Sequence, residues 1–399
     1  MTIHSYQSDP VVIAAAQRTP MGGFQGELSS VPAPTLGAIA IEAALHKTGI
    51  DVNLIDEVIM GCVLPAGLGQ APARQAALGA NLPLSAGCTT INKMCGSGMK
   101  ATMLAHDLIL AGSGNVMVSG GMENMSRAPY LLDRARQGYR LGHGEIKDHM
   151  FLDGLEDAYD QGKLMGCFAE ETAEYYKFSR KAQDEFAIRS LHRAMRAIEQ
   201  GLFTDEITPT AVQSGKKSKI ITTDEQPHKA NLEKIRTLRP AFKSDGTVTP
   251  ANSSSISDGA SALILMREST ANRLHIDPLA KILAHSTHAG EPRWFTTAPV
   301  QAINTVLHKC GLTTDDIDLW EINEAFAVVT MSAITQLNLN VEQVNIHGGA
   351  CALGHPIGAS GARILTTLIH GLKQNNLKRG VASLCIGGGE ATAMAVELT

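Results

Sequence analysis

The chain has 399 residues, of which 44% are hydrophobic and 18% charged; this is globular composition and excludes a disordered protein. A formal net charge of −5 argues against a general nucleic-acid binder. Seven cysteines without a CxxC pair argue against zinc ribbons and thioredoxin-like motifs, and fit free thiols in a reducing compartment. No apolar run reaches the ~18 residues of a membrane span. The opening "MTIHSYQSDP" has no signal-peptide pattern and the closing "VELT" is no peroxisomal address. The expectation is a soluble, cytoplasmic protein with no metal.

The first predicted element is a buried strand in "PVVIAAAQRTP" (10–20), followed by a second in "LIDEVIMGCV" (54–63). Then comes "NKMCGSG" (92–98). The glycines allow a tight turn and close approach of another molecule to the backbone. The following "MKATMLAHDLILAG" places Met99, Met103, Leu104, Leu108 and Ile109 at helical spacing. Cys95 therefore sits at a helix start, where free N–H groups and the positive end of the dipole favour a thiolate. A cysteine taken alone is more often buried core. "GNVMVSGGMEN" (114–124) reads as a strand running into a glycine cluster.

Residues 125–253 break the strand and helix alternation and hold most of the aromatic residues. One strong helix is predicted there, over 179–201, with Ser179 as N-cap and Gly201 as stop. Phe186, Ala187, Leu191, Ala194, Met195 and Ile198 form its apolar face. "SDGASALILM" (257–266) then returns to a strand of the first half.

The remaining chain repeats the beginning. "LAKILAHSTHAG" (279–290), "DIDLWEINEAF" (316–326), "GASGARIL" (358–365) and "GVASLCIGGGEA" (380–391) answer the earlier segments in order, at offsets of about 262 to 270 residues. This implies two duplicated α/β halves with largely parallel sheets covered by helices. Ligands bind at the carboxyl ends of such strands, so the glycine-rich turns should converge on one edge. The predicted domains are 1–124, completed by 254–277; an inserted, substrate-covering loop domain, 125–253; and 278–399.

Four segments then carry chemistry together: "NKMCGSG" with Cys95, "NEAF" (323–326), "GGACALGHPIGASG" (348–361) with His355, and "CIGGG" (385–389) with Cys385. Two thiols, an imidazole and a carboxamide on glycine-rich loops are the parts for acyl transfer. With "AQRTP", "GQAPARQAAL", "GGMENMS", "LRPAF" and "GTVTPANSSSISDGA" in the same order, the chain closely resembles the thiolase family nearly end to end.

The resemblance implies a layered α-β-α-β-α fold, with five-stranded mixed sheets in each half. It implies reversible acyl transfer between coenzyme A thioesters, with no cofactor. Cys95 matches the nucleophile that becomes acylated, and His355 the base that takes its proton and later helps hold a thioester oxygen. Cys385 matches a second thiol that removes a proton from the α-carbon of acetyl-CoA. Asn323 matches a water-positioning residue of one oxyanion hole; the N–H groups of Cys95 and Gly387 match the other. Ser254, Phe242, Met165 and Phe326 match residues along the pantetheine arm and acyl group. His228 and Lys229 align with the adenine-phosphate contact. The implied partners are acetyl-CoA, acyl-CoA and CoA. The implied assembly is a homotetramer, with a dimer as the alternative and "GQAPARQAAL" near the interface. Leu164, Ser255 and Glu390 depart from the commoner family pattern. The alternatives are a ketoacyl-synthase-like condensing enzyme, against which the second thiol argues, and a non-catalytic CoA- or lipid-binding relative. Glu324 and the other five cysteines read as structural.

Overall fold

The computed structural model describes residues 9–214 and 217–399. The expectation drawn from the first residues of "MTIHSYQSDP" therefore falls largely on residues 1–8, outside the described part.

We number the main-sheet strands longer than two residues and the helices of eight or more. The first half runs β1 (Val11–Arg18), α1 (Ala33–Thr48), β2 (Glu57–Gly61), α2 (Pro72–Gly79), β3 (Gly87–Ile91), α3 (Ser97–Leu110) and β4 (Val116–Asn124). The insertion carries α4 (Met165–Tyr175) and α5 (Arg180–Glu199). The chain then continues through β5 (Ser257–Arg267), β6 (Ala280–Ala289), α6 (Ala298–Cys310), β7 (Leu319–Ile322) and α7 (Ala327–Leu337). It closes with α8 (Ser360–Gln374), β8 (Arg379–Ile386) and β9 (Glu390–Leu398).

The strands hydrogen-bond in the order β7-β8-β9-β6-β1-β5-β4-β2-β3. The halves join where β1 meets β6, through only the pairs Val12 with Lys281 and Ile13 with Ala280. The duplication holds strand for strand. In the first half β3, β2 and β4 are parallel neighbours, and β5 and β1 follow antiparallel. In the second, β7 and β8 are parallel, and β9 and β6 follow antiparallel. A parallel bridge from Trp320 to Val344 occupies the place of β3. The expectation of largely parallel sheets is thus corrected. Only the outer strands of each half are parallel. The strands nearest the junction are antiparallel: in the second half a glycine turn, Gly387–Gly389, folds β9 straight back on β8.

Burial gives the layers. Ile41 and Ala44 of α1 and Ala76 and Ala77 of α2 pack on one face of the first half-sheet. Met99 and Met103 of α3 and Leu365 and Leu368 of α8 lie in a core shared by both half-sheets. Ile303 and Val306 of α6 and Ala333 of α7 cover the far side. The result is the expected α-β-α-β-α stack. The two central helices touch through glycine. A Cβ on Gly98 would stand 2.8 Å from the backbone nitrogen of Ala362, and one on Gly361 2.3 Å from that of Met99. These are the glycines of the repeated Ser-Gly motifs.

The inserted segment contributes no strand to the main sheet among the described residues. It is bolted to β1 by a buried ionic triad. The Arg18 guanidinium donates to Glu206 at 2.5 Å and to both oxygens of Asp224 at 2.7 and 2.9 Å. In α5, Ser179 caps the N-terminus by accepting the Ala182 N–H, and Gly201 takes φ 67° just past the end. Both were predicted. Phe186, Leu191 and Ala194 are buried as expected.

Candidate active site

The Cys95 turn is built by its own short sequence. Asn92 Oδ1 accepts the Met94 N–H at 2.9 Å, and Ser97 Oγ accepts the Lys93 N–H at 2.8 Å. Met94 takes φ 46°, so the chain reverses sharply before α3 starts at Ser97. Gly96 is required by its neighbour: a Cβ there would lie 2.4 Å from Ile386 Cδ1 at the end of β8. That contact presses the Cys95 turn against the strand that carries Cys385.

Cys95, His355 and Gly387 open on one cleft of about 380 Å³, with Ser254, Phe242, Met165 and Phe326 among its walls. Such a slot, apolar with few polar groups, suits a flexible thioester arm. Leu164 also lines it. Its aromatic side is a chain of edge-to-face contacts, Phe242 to Phe326 at 6.1 Å and Phe326 to Phe295 at 6.4 Å. Two loops of different halves meet there: Ser254 N–H donates to the Ala325 carbonyl at 2.9 Å, and Ala327 N–H to the Asn252 carbonyl at 2.8 Å.

Burial pushes the Cys95 thiol up to about 11, although the N–H groups of Gly387 and of Cys95 itself pull it down. The helix-start expectation of a favoured thiolate is therefore corrected. The two N–H groups favour the thiolate, and desolvation outweighs them. Cys385 is fully buried directly behind the cleft wall, in a cluster with Phe326, Met165 and Phe242. Burial first, and then the nearby Cys95, push its thiol well above the ordinary range.

His355 is buried, and burial together with the Arg363 cation drives its pKa down to about 3. It is a neutral imidazole at neutral pH. Its tautomer is set by a residue that sequence reasoning missed. Ser360 Oγ lies 2.5 Å from His355 Nδ1 and itself donates to the Pro356 carbonyl at 2.9 Å. With the hydroxyl proton directed to the Pro356 carbonyl, Nδ1–H donates to Ser360 Oγ and Nε2 keeps its lone pair. Asn323 Nδ2 stands 3.5 Å from Nδ1 and, as a second donor, makes no hydrogen bond to Nδ1–H. Asn323 Oδ1 and His355 Nε2 are buried without a protein partner among the described residues.

A second residue missed from sequence is Glu123. Its buried carboxylate accepts the N–H groups of Val63 at 2.9 Å, Leu64 at 3.1 Å and Gly358 at 2.9 Å. It ties the loop after β2 to the His355 loop. Burial raises its pKa to about 7, against the pull of those three N–H groups. Its signal was legible: an acid inside the apolar strand "VMVSGGMEN". Glu324 accepts from Ser190 Oγ, Asn345 Nδ2 and the Cys351 N–H, which is a structural arrangement.

His228 and Lys229 do not join this constellation. Both are exposed on a short helix, Glu225–Lys229, and the Lys229 ammonium pairs with Glu225. They do not line the cleft that holds Cys95.

Comparison with known proteins agrees with this geometry. The thiolase N-terminal domain family matches residues 11–269, and the thiolase C-terminal domain family matches 276–398. Acetyl-CoA acetyltransferase 2 of Arabidopsis thaliana is 49% identical over 400 residues, covering 100% of this chain and 99% of the relative. Acetyl-CoA acetyltransferase of Cupriavidus necator is 46% identical, covering 97% and 99%. A crystal structure of the Bacillus anthracis acetyl-CoA acetyltransferase superposes with a TM-score of 0.95 at 40% identity, covering 98% of this chain and 99% of that one. The chain belongs to the thiolase family.

Proposed function

We propose that this chain is an acyl-CoA:acetyl-CoA C-acyltransferase. It cleaves acetoacetyl-CoA or another 3-ketoacyl-CoA with CoA, or condenses two acetyl-CoA in reverse. The observation that carries the reading is the shared apolar cleft of Cys95, His355 and Gly387, with Cys385 directly behind its wall.

In the first half-reaction, His355 Nε2 takes the proton from the Cys95 thiol as sulfur attacks the acyl carbonyl. The Cys95 and Gly387 N–H groups receive the developing oxyanion. The C–S bond to the departing thiolate breaks, and that thiolate takes the proton from the imidazolium. With the thiol near 11 and the imidazole near 3, proton transfer accompanies attack and does not precede it. In the condensing direction, the Cys385 proton passes to His355, and the Cys385 thiolate takes a proton from the α-carbon of acetyl-CoA, bound with its carbonyl toward His355 and an Asn323-held water. The enolate attacks acyl-Cys95, the Cys95 thiolate leaves and takes the proton from Cys385, and the imidazolium then returns its proton to the Cys385 thiolate. No cofactor enters; the thioesters are substrates.

Ser254, Met165, Phe242 and Phe326 hold the pantetheine arm and acyl group in this reading, while His228 and Lys229 meet the phosphates only from outside the cleft. We assign the working assembly as a homotetramer, with a dimer as the alternative, in the cytoplasm. No helix of the described residues is long and apolar enough to cross a membrane. The test is direct. Acetoacetyl-CoA plus CoA should yield two acetyl-CoA per turnover, and failure to form acetyl-CoA with any 3-ketoacyl-CoA would refute the assignment.

A further inference from the structure

Away from the cleft, the two halves meet at a second cluster of polar side chains. His106 and Asp107 stand on α3 of the first half, and His285 on β6 of the second. His106 Nδ1 and His285 Nε2 each lie 2.9 Å from the same oxygen of Asp107. The imidazole rings meet edge to face, 5.0 Å apart. One ligand atom from each residue, two nitrogens and one oxygen, falls within 4.8 Å of the others.

We propose that His106, Asp107 and His285 form a binding site for one divalent transition-metal ion that joins the two halves of the chain. Two imidazoles and one carboxylate are ligands suited to zinc, nickel or cobalt, each reached at ~2.0–2.2 Å. Donor atoms 2.9 Å apart need to spread only by a few tenths of an ångström around such an ion. Asp107 is half-exposed while both imidazoles are mostly covered, so the remaining coordination positions face solvent.

Protonation favours the same occupant. Burial holds both imidazoles below their ordinary pKa. Burial pushes the Asp107 carboxyl up, but its hydrogen bonds and charge attraction with the two imidazoles outweigh this and leave it below its usual value. On binding, the N–H of each ligating nitrogen moves to the other ring nitrogen, and no net proton is released. The opposing charges are Arg267 and Lys309. Arg267 donates to the carbonyls of Asp9 and Leu110, and Lys309 to the His285 carbonyl. They place a limit on affinity, while the two imidazole ligands rank the cations: nickel and zinc above manganese, with magnesium excluded.

A ligand that binds only the folded chain stabilises it by mass action. The site spans α3 and β6, so both halves must be in place to bind. The test uses the full-length protein with active-site thiols alkylated by iodoacetamide, titrated with cobalt(II) and separately with nickel(II). One equivalent of cobalt should bind with a visible d–d spectrum and without the near-ultraviolet thiolate charge-transfer band. Nickel should raise Tm by roughly 2–5 °C. His285→Gln should remove both effects, and Asp107→Glu should retain them. Unchanged binding in His285→Gln would overturn the proposal. So would a wild-type protein whose spectrum and Tm ignore both metals, an outcome that needs no variant to fold. Neither readout depends on acyl transfer, so failure here and failure of the proposed activity are separate results.

Discussion

Ser360 Oγ sits 2.5 Å from His355 Nδ1 and is five residues further along the chain. The hydroxyl is therefore an acceptor built into the start of α8, fixed there by the Pro356 carbonyl. It leaves His355 Nε2 as the imidazole's basic atom without any carboxylate partner. Ser360→Ala removes the preference between tautomers but leaves the cleft walls intact. We expect kcat to fall by roughly 10–100-fold, part of the ~10²–10⁴ a general acid–base group contributes. KM for CoA should be little changed. Steady-state thiolysis checks this, with Ser360→Thr expected to restore most of the rate. An equal loss in kcat and in CoA affinity would point to collapse of the loop instead.

The N–H groups of Gly387 and of Cys95 itself act against the burial of Cys95, and burial prevails. The free enzyme should therefore hold a thiol beside a neutral imidazole, not a thiolate–imidazolium pair. Below its pKa the thiolate fraction rises about tenfold per pH unit, so iodoacetamide alkylation of Cys95 should accelerate steadily between about pH 7 and 10. His355→Asn should leave that profile unchanged. Peptide mapping of the alkylated residue against time gives the rates. A plateau beginning below neutrality would show the ion pair instead.

Glu123 holds three backbone N–H groups from two loops that frame the cleft. Glu123→Gln keeps the volume but turns an NH₂ toward one or two of those donors. A buried donor left unpaired costs about 1–3 kcal/mol, so stability should drop by about 2–4 kcal/mol. Urea unfolding at neutral pH measures it; an unchanged midpoint with an unchanged slope would show that the carboxylate is dispensable.

The duplication was legible because strand, turn and helix recur in one order at a nearly constant offset. Part of the cleft was legible because Cys95 and Gly387 lie on glycine turns after strands β3 and β8; Ser254, Phe326 and His355 reach it from other loops. Strand direction was not. Alternating strands and helices look alike whether a half closes with a parallel or an antiparallel strand, and only the turn at Gly387–Gly389 signals the β8–β9 reversal. Desolvation at Cys95 was not legible either, since it depends on apolar side chains from distant segments, among them Val63, Leu64, Met125 and Ile357. Nor was the pairing of the Lys229 ammonium with Glu225, four residues earlier, visible in the sequence.

The separate duties of the two thiols are the most direct point of attack. Acetyl exchange between acetyl-CoA and a free CoA analogue needs Cys95, His355 and the Gly387 N–H, but no proton transfer at carbon. Thiolysis of acetoacetyl-CoA and the Claisen condensation need Cys385 as well. Both activities should be measured on one preparation of Cys385→Ala, with peptide mass spectrometry locating the acetyl group. Thiolysis should fall by at least ~10²–10⁴-fold, while exchange persists and the acetyl group is found on Cys95. Equal loss of both activities, or an acetyl group that never appears on Cys95, would contradict the assignment of one thiol to the carbonyl and the other to the α-carbon.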